Sequence, residues 1–125
     1  MIPFIRSRIK SFGHAFAGLW YVLKTQKNAW LHALATCLVI LLALWLQLHP
    51  TEWAILFLAI GSVWTAEFIN TALEAIVDLA SPEHHPLARV GKDVGAAAVL
   101  ISSFFAALIG LFLLFIPAFH HLFDS

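Results

Sequence analysis

The chain has 125 residues, of which 62% are hydrophobic and 11% are charged, and its mean hydropathy is +0.90. This composition excludes an ordinary soluble domain of this size and indicates that a lipid bilayer is the solvent. Seven basic and seven acidic residues balance, so a general attraction to nucleic acid is excluded. The single cysteine, Cys37, excludes an intramolecular disulfide and a cysteine-based zinc site.

The first predicted element is an amphipathic helix over about residues 3–26 of a single domain, 1–125. Its apolar side chains recur at intervals of three and four residues: Ile5, Ile9, Phe12, Phe16, Leu19 and Leu23. Arg8, Lys10 and His14 fall largely off this face. A basic amphipathic helix of this kind can lie in the membrane interface, and it can also pack against the other helices of the bundle.

Three apolar segments follow and predict transmembrane helices over about residues 28–48, 52–80 and 87–117. The first two are separated by a tight turn in which Thr51 is the predicted helix cap. The second connection, residues 81–86, contains two prolines that stop one helix and start the next. Pro117 is predicted to end the third span.

The distribution of basic residues predicts the orientation of these spans. The basic residues are Arg6, Arg8, Lys10, Lys24, Lys27, Arg89 and Lys92. All of them fall on one side of a three-span topology, which the positive-inside rule makes the cytoplasmic side. The N-terminus is therefore expected in the cytoplasm and the C-terminus outside.

The second span carries the most informative pattern in the chain. Glu67, Asn70, Glu74 and Asp78 are separated by three, four and four residues, so they fall within an arc of roughly 80° on a helix. Carboxylates at membrane depth normally face a protein interior or a wet cavity and mark function. This stripe can hold a metal ion and move a proton. It descends from the cytoplasmic side, and Glu67 is its deepest member.

Two other interpretations of the stripe fit its pattern less well than catalysis. Polar side chains can simply join helices to each other, but three carboxylates repel one another unless they are neutralised or bridged. A proton-coupled transporter subunit could also use Glu67. Such sites usually lie near the midplane with access from both sides, and this stripe begins at one surface.

Residues beside the second connection form a weaker candidate site. Lys92 follows Gly91, but the dipeptide is not part of a Walker loop. On spacing alone, Lys92 is better interpreted as an interfacial lysine paired with Asp93. Glu83 and His85 lie in the loop above the acidic stripe and therefore have more weight than the histidines elsewhere.

The strings EFINTALEAIVD at 67–78 and SPEHHPLARVGKDVGAAAVL at 81–100 resemble the prokaryotic diacylglycerol kinase family, which includes undecaprenol kinase. The resemblance covers nearly the whole chain. It implies an all-α integral membrane protein, with a surface helix and three transmembrane helices per subunit. It also implies a homotrimer with active sites shared between subunits, and transfer of the γ-phosphoryl group of Mg-ATP to a membrane lipid hydroxyl. The implied location is the bacterial cytoplasmic (inner) membrane.

The resemblance also implies roles for individual residues. Glu67 matches the general base that accepts the proton of the lipid hydroxyl, and Asn70 matches a residue that orients it. Glu74 matches the principal ligand of Mg²⁺. A further set matches positions around the nucleotide: Asp78, Glu83, His85, Lys92 and Asp93. Within that set, Lys92 is expected at the phosphates and Asp93 at the adenosine part.

The chain departs from the family pattern near the surface helix. Gln26 stands where the family often has a glutamate as second metal ligand, so weaker metal binding or a different second ligand is expected. Ser7 aligns with the nucleotide-contacting arginine, and Arg6 and Arg8 flank it, of which Arg8 is expected to contact the nucleotide. His14, which aligns with a tyrosine of some members, is also expected there. The string SPEHHPLA favours undecaprenol as the acceptor, with diacylglycerol close behind.

Overall fold

A computed structural model describes residues 1–124, which are almost entirely helical and include no strand. The helices are α1 (Ile2–Thr25), α2 (Lys27–Leu46), α3 (Pro50–Ala80), α4 (Pro86–Gly110) and α5 (Ile116–Phe123). A π-helical turn, Leu111–Phe115, joins α4 and α5 into one continuous helix of 38 residues. Three helices are long and apolar enough to cross a membrane: α2, α3 and the combined α4–α5 helix. The prediction of an all-α membrane fold with three spans is confirmed.

The starts of α3 and α4 use the same local chemistry. Each begins with a proline, which has no N–H to leave unpaired in a first helical turn. A histidine caps each one: His49 forms a capping box with Glu52, and His85 Nδ1 accepts a hydrogen bond from the Leu87 N–H at 3.1 Å. The prediction of Thr51 as the cap was wrong, because the helix already begins at Pro50 and Thr51 lies inside its first turn.

Pro117 does not end the third span, contrary to the sequence prediction. The helix continues through it as α5, and the π turn Leu111–Phe115 directly precedes it. A proline inside a helix removes one hydrogen bond and crowds the carbonyl of the preceding turn. The wider π turn is the local change that lets the helix continue.

A sharp corner connects α1 to α2 and involves a single non-helical residue. Gln26 has an extended backbone, with φ −103° and ψ 114°, and its N–H bonds to the Val22 carbonyl at 2.9 Å. The Trp30 indole N–H donates to the Leu23 carbonyl across the corner at 2.8 Å. Phe12 and Phe16 line a groove between α1 and α3, so the apolar face of α1 lies beside the bundle.

The apolar core lies at the end of the bundle where α2 meets α3. Ala43, Leu56 and Leu114 are its buried centre. Partly buried side chains surround them: Val39, Leu42, Leu46, Leu48, Trp53, Ile60 and Leu113. Most large apolar side chains of α2 and α4 are instead exposed, as expected for helices that face lipid or other subunits.

Candidate active site

The buried polar residues of α3 form the centre of the site. Glu67, Asn70 and Thr71 are buried, with Glu67 only 2% exposed. Glu67 lies about 26 Å along the helix axis from Pro50, at 1.5 Å per residue. A hydrocarbon core is about 30 Å thick, so Glu67 falls near its edge while Glu74 and Asp78 extend towards the interface.

A cavity of about 340 Å³ lies beside Glu67, Asn70 and Glu74 where three helices meet. The α1–α2 corner contributes Gln26, Asn28, Leu31 and His32; α3 contributes Glu67, Asn70 and Glu74; α4 contributes Ala96, Val99, Leu100 and Ser103. The fold therefore brings together the predicted base, its amide neighbour and both predicted metal ligands. The sharp corner places Gln26 there, 41 residues before Glu67 in the chain.

Two buried oxygens in this site have no hydrogen-bond partner among the described residues: Glu67 Oε2 and Asn70 Oδ1. The Asn70 amide does use its nitrogen, since Nδ2 donates to Glu74 Oε1 at 3.3 Å. Buried polar atoms are normally paired, and leaving them unpaired is unfavourable. Unpaired oxygens lining a cavity therefore fit a ligand that supplies a proton donor or a cation.

Gly95 of α4 packs directly against Asn70. A Cβ atom added at Gly95 would lie 2.4 Å from Asn70 Oδ1, closer than non-bonded atoms approach each other. Other glycines of the chain have more room: a Cβ at Gly91 would lie 3.7 Å from Val77, and one at Gly110 would meet nothing within 4 Å. Only a glycine at position 95 allows α4 to pack this closely on the Asn70 side chain.

Charged side chains pair at the rim, between the ends of α3 and α4. Lys92 contacts the carboxylate of Asp78, and Arg89 Nε donates to Asp93 Oδ1 at 3.1 Å. The interpretation of Lys92 as paired with Asp93 was wrong. Neighbouring residues on a helix point about 100° apart, whereas Arg89 and Asp93 are four residues apart and share a face.

The remaining predicted nucleotide residues lie outside the cavity. His85 uses its ring nitrogen as the cap of α4, and Glu83 is exposed in the connection, where its carbonyl accepts from Ser81 Oγ at 2.8 Å. On α1, Arg8 lies over the Phe4 ring at 5.2 Å, and His14 lines a separate cleft on that helix. None of these four residues lines the cavity within residues 1–124.

The cavity also contains polar residues that the sequence analysis did not select. Asn28 and His32 face it from the first turns of α2, and Ser103 from α4. His32 Nε2 lies 3.6 Å from Glu67 Oε2. A histidine within an apolar span is a known signal of function, and it could have identified this position.

The donor atoms in the site suit a hard cation such as Mg²⁺. The side chains of Gln26 and Glu74, which line the cavity together with Asn70, offer oxygen ligands. Among residues 1–124, no three His, Cys, Asp or Glu side chains converge closely enough to enclose a metal. Mg²⁺ usually keeps several waters and binds through one or two carboxylates plus substrate phosphates, so this small donor set fits that ion.

Comparison with known proteins identifies the family. The family model for prokaryotic diacylglycerol kinase matches residues 13–114. An undecaprenol kinase of Bacillus subtilis is 43% identical over 108 residues, which are 86% of this chain and 87% of that protein. A diacylglycerol kinase of Synechocystis is 39% identical, over 86% of this chain and 62% of its own length. The diacylglycerol kinase of Escherichia coli K12 is 31% identical, over 80% of this chain and 82% of its own length.

The matched region contains the surface helix from Gly13, the acidic stripe of α3 and most of the third span, so it includes every residue that lines the cavity. The arrangement of three membrane-spanning helices agrees with a family of membrane proteins. The chain is an integral membrane protein that belongs to the prokaryotic diacylglycerol kinase family.

Proposed function

We propose that this protein is a lipid kinase that transfers the γ-phosphoryl group of ATP to the hydroxyl of a membrane lipid, with undecaprenol as the preferred acceptor. The observation that carries the proposal is Glu67, a buried carboxylate with an unpaired oxygen, in a cavity at the edge of the membrane core. Membership of a family of lipid kinases supports the reaction class.

Glu67 acts as the general base. As the lipid oxygen forms its bond to phosphorus, the hydroxyl proton moves to the Glu67 carboxylate and the β–γ bridging oxygen leaves with ADP. The position of Glu67 suits this step, because the acceptor hydroxyl must be reached from the lipid phase. Asn70 orients the reacting groups through Oδ1, while its Nδ2 holds Glu74.

Glu74 and Gln26 would hold Mg²⁺ on the nucleotide side of the cavity. Bound there, Mg²⁺ neutralises negative charge on the transferred phosphoryl group. Gln26 contributes a neutral carbonyl oxygen where a carboxylate would bind more strongly. Glu74 therefore supplies the main protein charge for the ion.

The nucleotide binds at the rim, with Lys92 at its phosphates and Asp93 near its adenosine part. The contact between Lys92 and Asp78 supports this, because it holds the ammonium group at the rim, between the end of α3 and the start of α4. Glu83 and His85 lie in the adjoining connection, where they can face the nucleotide.

Arg8 and His14 complete the nucleotide site from a neighbouring subunit of a homotrimer. Within one chain they are on α1 and away from the cavity, although Arg8 flanks the position of the family's nucleotide-contacting arginine and His14 matches a tyrosine of some members. The large exposed apolar surfaces of α2 and α4 provide area for subunit contacts. No nucleic acid partner is expected, since the net charge is zero.

Undecaprenol is preferred over diacylglycerol for two reasons. The loop string SPEHHPLA resembles the undecaprenol kinase branch, and the Bacillus subtilis relative at 43% identity is an undecaprenol kinase. The protein is placed in the bacterial cytoplasmic membrane with its basic ends inside, so that the cavity opens towards cytosolic ATP. The N-terminus is then cytoplasmic and the C-terminus outside.

A proton-coupled transporter subunit is less consistent with these features. Its carboxylate would need access from both sides of the membrane. The cavity instead adjoins the basic end of the bundle, and the apolar core of Ala43, Leu56 and Leu114 lies at the other end. Binding of Mg-ATP distinguishes the two functions, because a transporter subunit of this kind has no need for it.

The direct test is a phosphoryl-transfer assay in lipid bilayers with γ-labelled ATP, with undecaprenol and diacylglycerol supplied separately. Label is expected in undecaprenol, with less in diacylglycerol, and the Glu67→Gln variant should lose about 10²–10⁴-fold in rate. Glu52→Gln is the matched control, since Glu52 is on the same helix but caps its opposite end. Equal activity of Glu67→Gln and the wild type would exclude Glu67 as the base, and label in neither lipid would exclude both proposed acceptors.

A further inference from the structure

His32 is the neighbour of the proposed base on the facing helix. Its Nε2 atom lies 3.6 Å from Glu67 Oε2, and the His32 side chain is 19% exposed. This distance is longer than a hydrogen bond but within the range of an ion pair, and catalytic contacts often shorten when substrate binds. We infer that His32 is a positioning residue that holds the Glu67 carboxylate for proton transfer, an inference that rests on the proposed function.

The Glu67 carboxylate needs such a partner. Oε2 is buried and has no hydrogen-bond partner among residues 1–124. Thr71 bonds only to the Glu67 backbone carbonyl, at 2.9 Å, and does not restrain the side chain. An imidazole with its proton on Nε2 supplies the missing donor, and this tautomer is assigned because the facing oxygen can only accept.

The His32 ring is itself restrained by Trp64 of α3. The Trp64 indole N–H donates to Thr36 Oγ1 of α2 at 3.0 Å, which fixes the indole beside the imidazole, while Thr36 Oγ1 donates to the backbone carbonyl of His32 at 2.7 Å. The Trp64 ring also packs edge-on against the imidazole, with centroids 6.1 Å apart. Trp64 and Glu67 are three residues apart on α3 and so share a face. The base and the group that holds it are therefore fixed to the same pair of helices.

This arrangement assigns different tasks to the two carboxylate oxygens. Oε2 faces His32, which leaves Oε1 to take the proton when the O–H bond of the lipid breaks and the new O–P bond forms. His32 keeps its Nε2 proton throughout and exchanges none with the lipid. A fixed carboxylate orientation speeds proton transfer, since small misplacements of reacting groups are costly.

Two substitutions at this position separate positioning from packing. In His32→Gln the amide nitrogen takes roughly the place of Nε2 and can still donate to Glu67. In His32→Asn the amide nitrogen takes the place of Nδ1 and falls short of Glu67. A misplacement of about 1 Å at the reacting groups can cost about 10²-fold. We expect His32→Asn to lower kcat by up to about 10²-fold, with KM for ATP and lipid within about twofold, and His32→Gln to restore most of that loss.

His121 provides a matched control. It also packs against a tryptophan, Trp45, with centroids 4.9 Å apart, but it lies in α5 and does not line the cavity. His121→Asn and His121→Gln should both keep the wild-type kcat. A loss of similar size at His121 would show that any substitution in a His–Trp pair loosens the bundle, and it would overturn the assignment.

Coupling to Glu67 completes the test. In a Glu67→Gln background, His32→Asn should cause little further loss, because no carboxylate remains to be positioned.

An unchanged kcat in His32→Asn, or equal losses in His32→Asn and His32→Gln, would overturn the inference. If His32→Asn does not fold, Thr36→Val decides: it should lower kcat several-fold without changing KM, and full kcat would overturn the inference. Full activity of Glu67→Gln alone would instead overturn the proposed function.

Discussion

The buried face of α3 consists of two halves with opposite chemistry. In the first half the buried residues are Leu56, Ala59 and Val63; in the second half they are Glu67, Asn70 and Thr71. All six follow one helical stripe at intervals of three, four or one. In the apolar half, Leu56 packs with Ala43 and Leu114, while in the polar half two oxygens have no partner among the described residues.

This difference separates stability from function along a single helix. The apolar half contributes close packing and requires no ligand. The polar half contains two buried oxygens without a hydrogen-bond partner among residues 1–124, which is unfavourable for stability and typical of a functional site. We therefore expect substitutions in the apolar half to change stability, and substitutions around the polar half to change activity.

Among substitutions outside the proposed base, the largest effect is expected for Gly95→Ala. The added Cβ would lie 2.4 Å from Asn70 Oδ1, so either Asn70 or α4 must move. Displacing a group at a reacting site by about 1 Å can cost about 10²-fold in kcat. Kinase activity per folded protein measures the change. Gly110→Ala, on the same helix with open space around it, should remain fully active; loss of activity in both variants would contradict the assigned role of Gly95.

Leu114→Ala probes the apolar half. Leu114 is 1% exposed and packs in the core cluster, so truncation leaves a cavity. We expect the unfolding free energy to fall by about 2 kcal/mol. This is at the low end for a buried leucine, because the hydrophobic effect does not drive helix packing within a membrane and only the packing contacts are lost. Denaturation in mixed micelles measures it. Activity of the folded fraction should stay within about threefold of wild type, and a large loss of kcat without a stability change would contradict the division.

Gln26→Glu tests the proposed metal site beside the polar half of α3. Gln26 lines the cavity with Glu74, and a second carboxylate there would bind Mg²⁺ more strongly. The magnesium concentration for half-maximal activity should fall several-fold. A magnesium titration at constant ATP measures this, and Gln47→Glu, at the distant end of α2, is the control. An unchanged or higher requirement would argue against Gln26 as a ligand.

The smallest effect is expected for Arg89→Gln. The Arg89–Asp93 pair is at the rim, with side chains 80% and 65% exposed. Exposed ion pairs contribute about 0–1 kcal/mol and are screened by salt. The unfolding free energy should therefore change by less than about 0.5 kcal/mol. A larger loss would show that the rim contributes to stability more than its exposure indicates.

The spacing of apolar and acidic residues was sufficient to predict three spans and the stripe on α3, because residues three or four apart in the sequence lie on the same face of a helix. The same reasoning failed where local geometry adapts to a residue. Pro117 lies within a continuous helix because a π turn precedes it, and His49 takes the capping role predicted for Thr51. Neither outcome has a periodic signal in the sequence.

Periodicity also could not predict contacts between segments that are far apart in the sequence. His32 approaches Glu67 only because α2 packs on α3, and Gly95 is needed only because α4 approaches Asn70 so closely. Lys92 contacts Asp78 of the preceding span, while its sequence neighbour Asp93 pairs with Arg89. Sequence intervals describe the faces of one helix and do not specify which faces of two helices meet.

By itself, the sequence determined the membrane environment, the helical class and the acidic stripe, since composition and short-range spacing carry all three. The family followed from the resemblance of the strings at 67–78 and 81–100. The tertiary structure decided which residues share the cavity: it placed Gln26 and His32 beside Glu67, and it left Arg8 and His14 outside. The physical reason is that helix packing depends on close fit between side chains far apart in the chain. That fit is a property of the folded bundle.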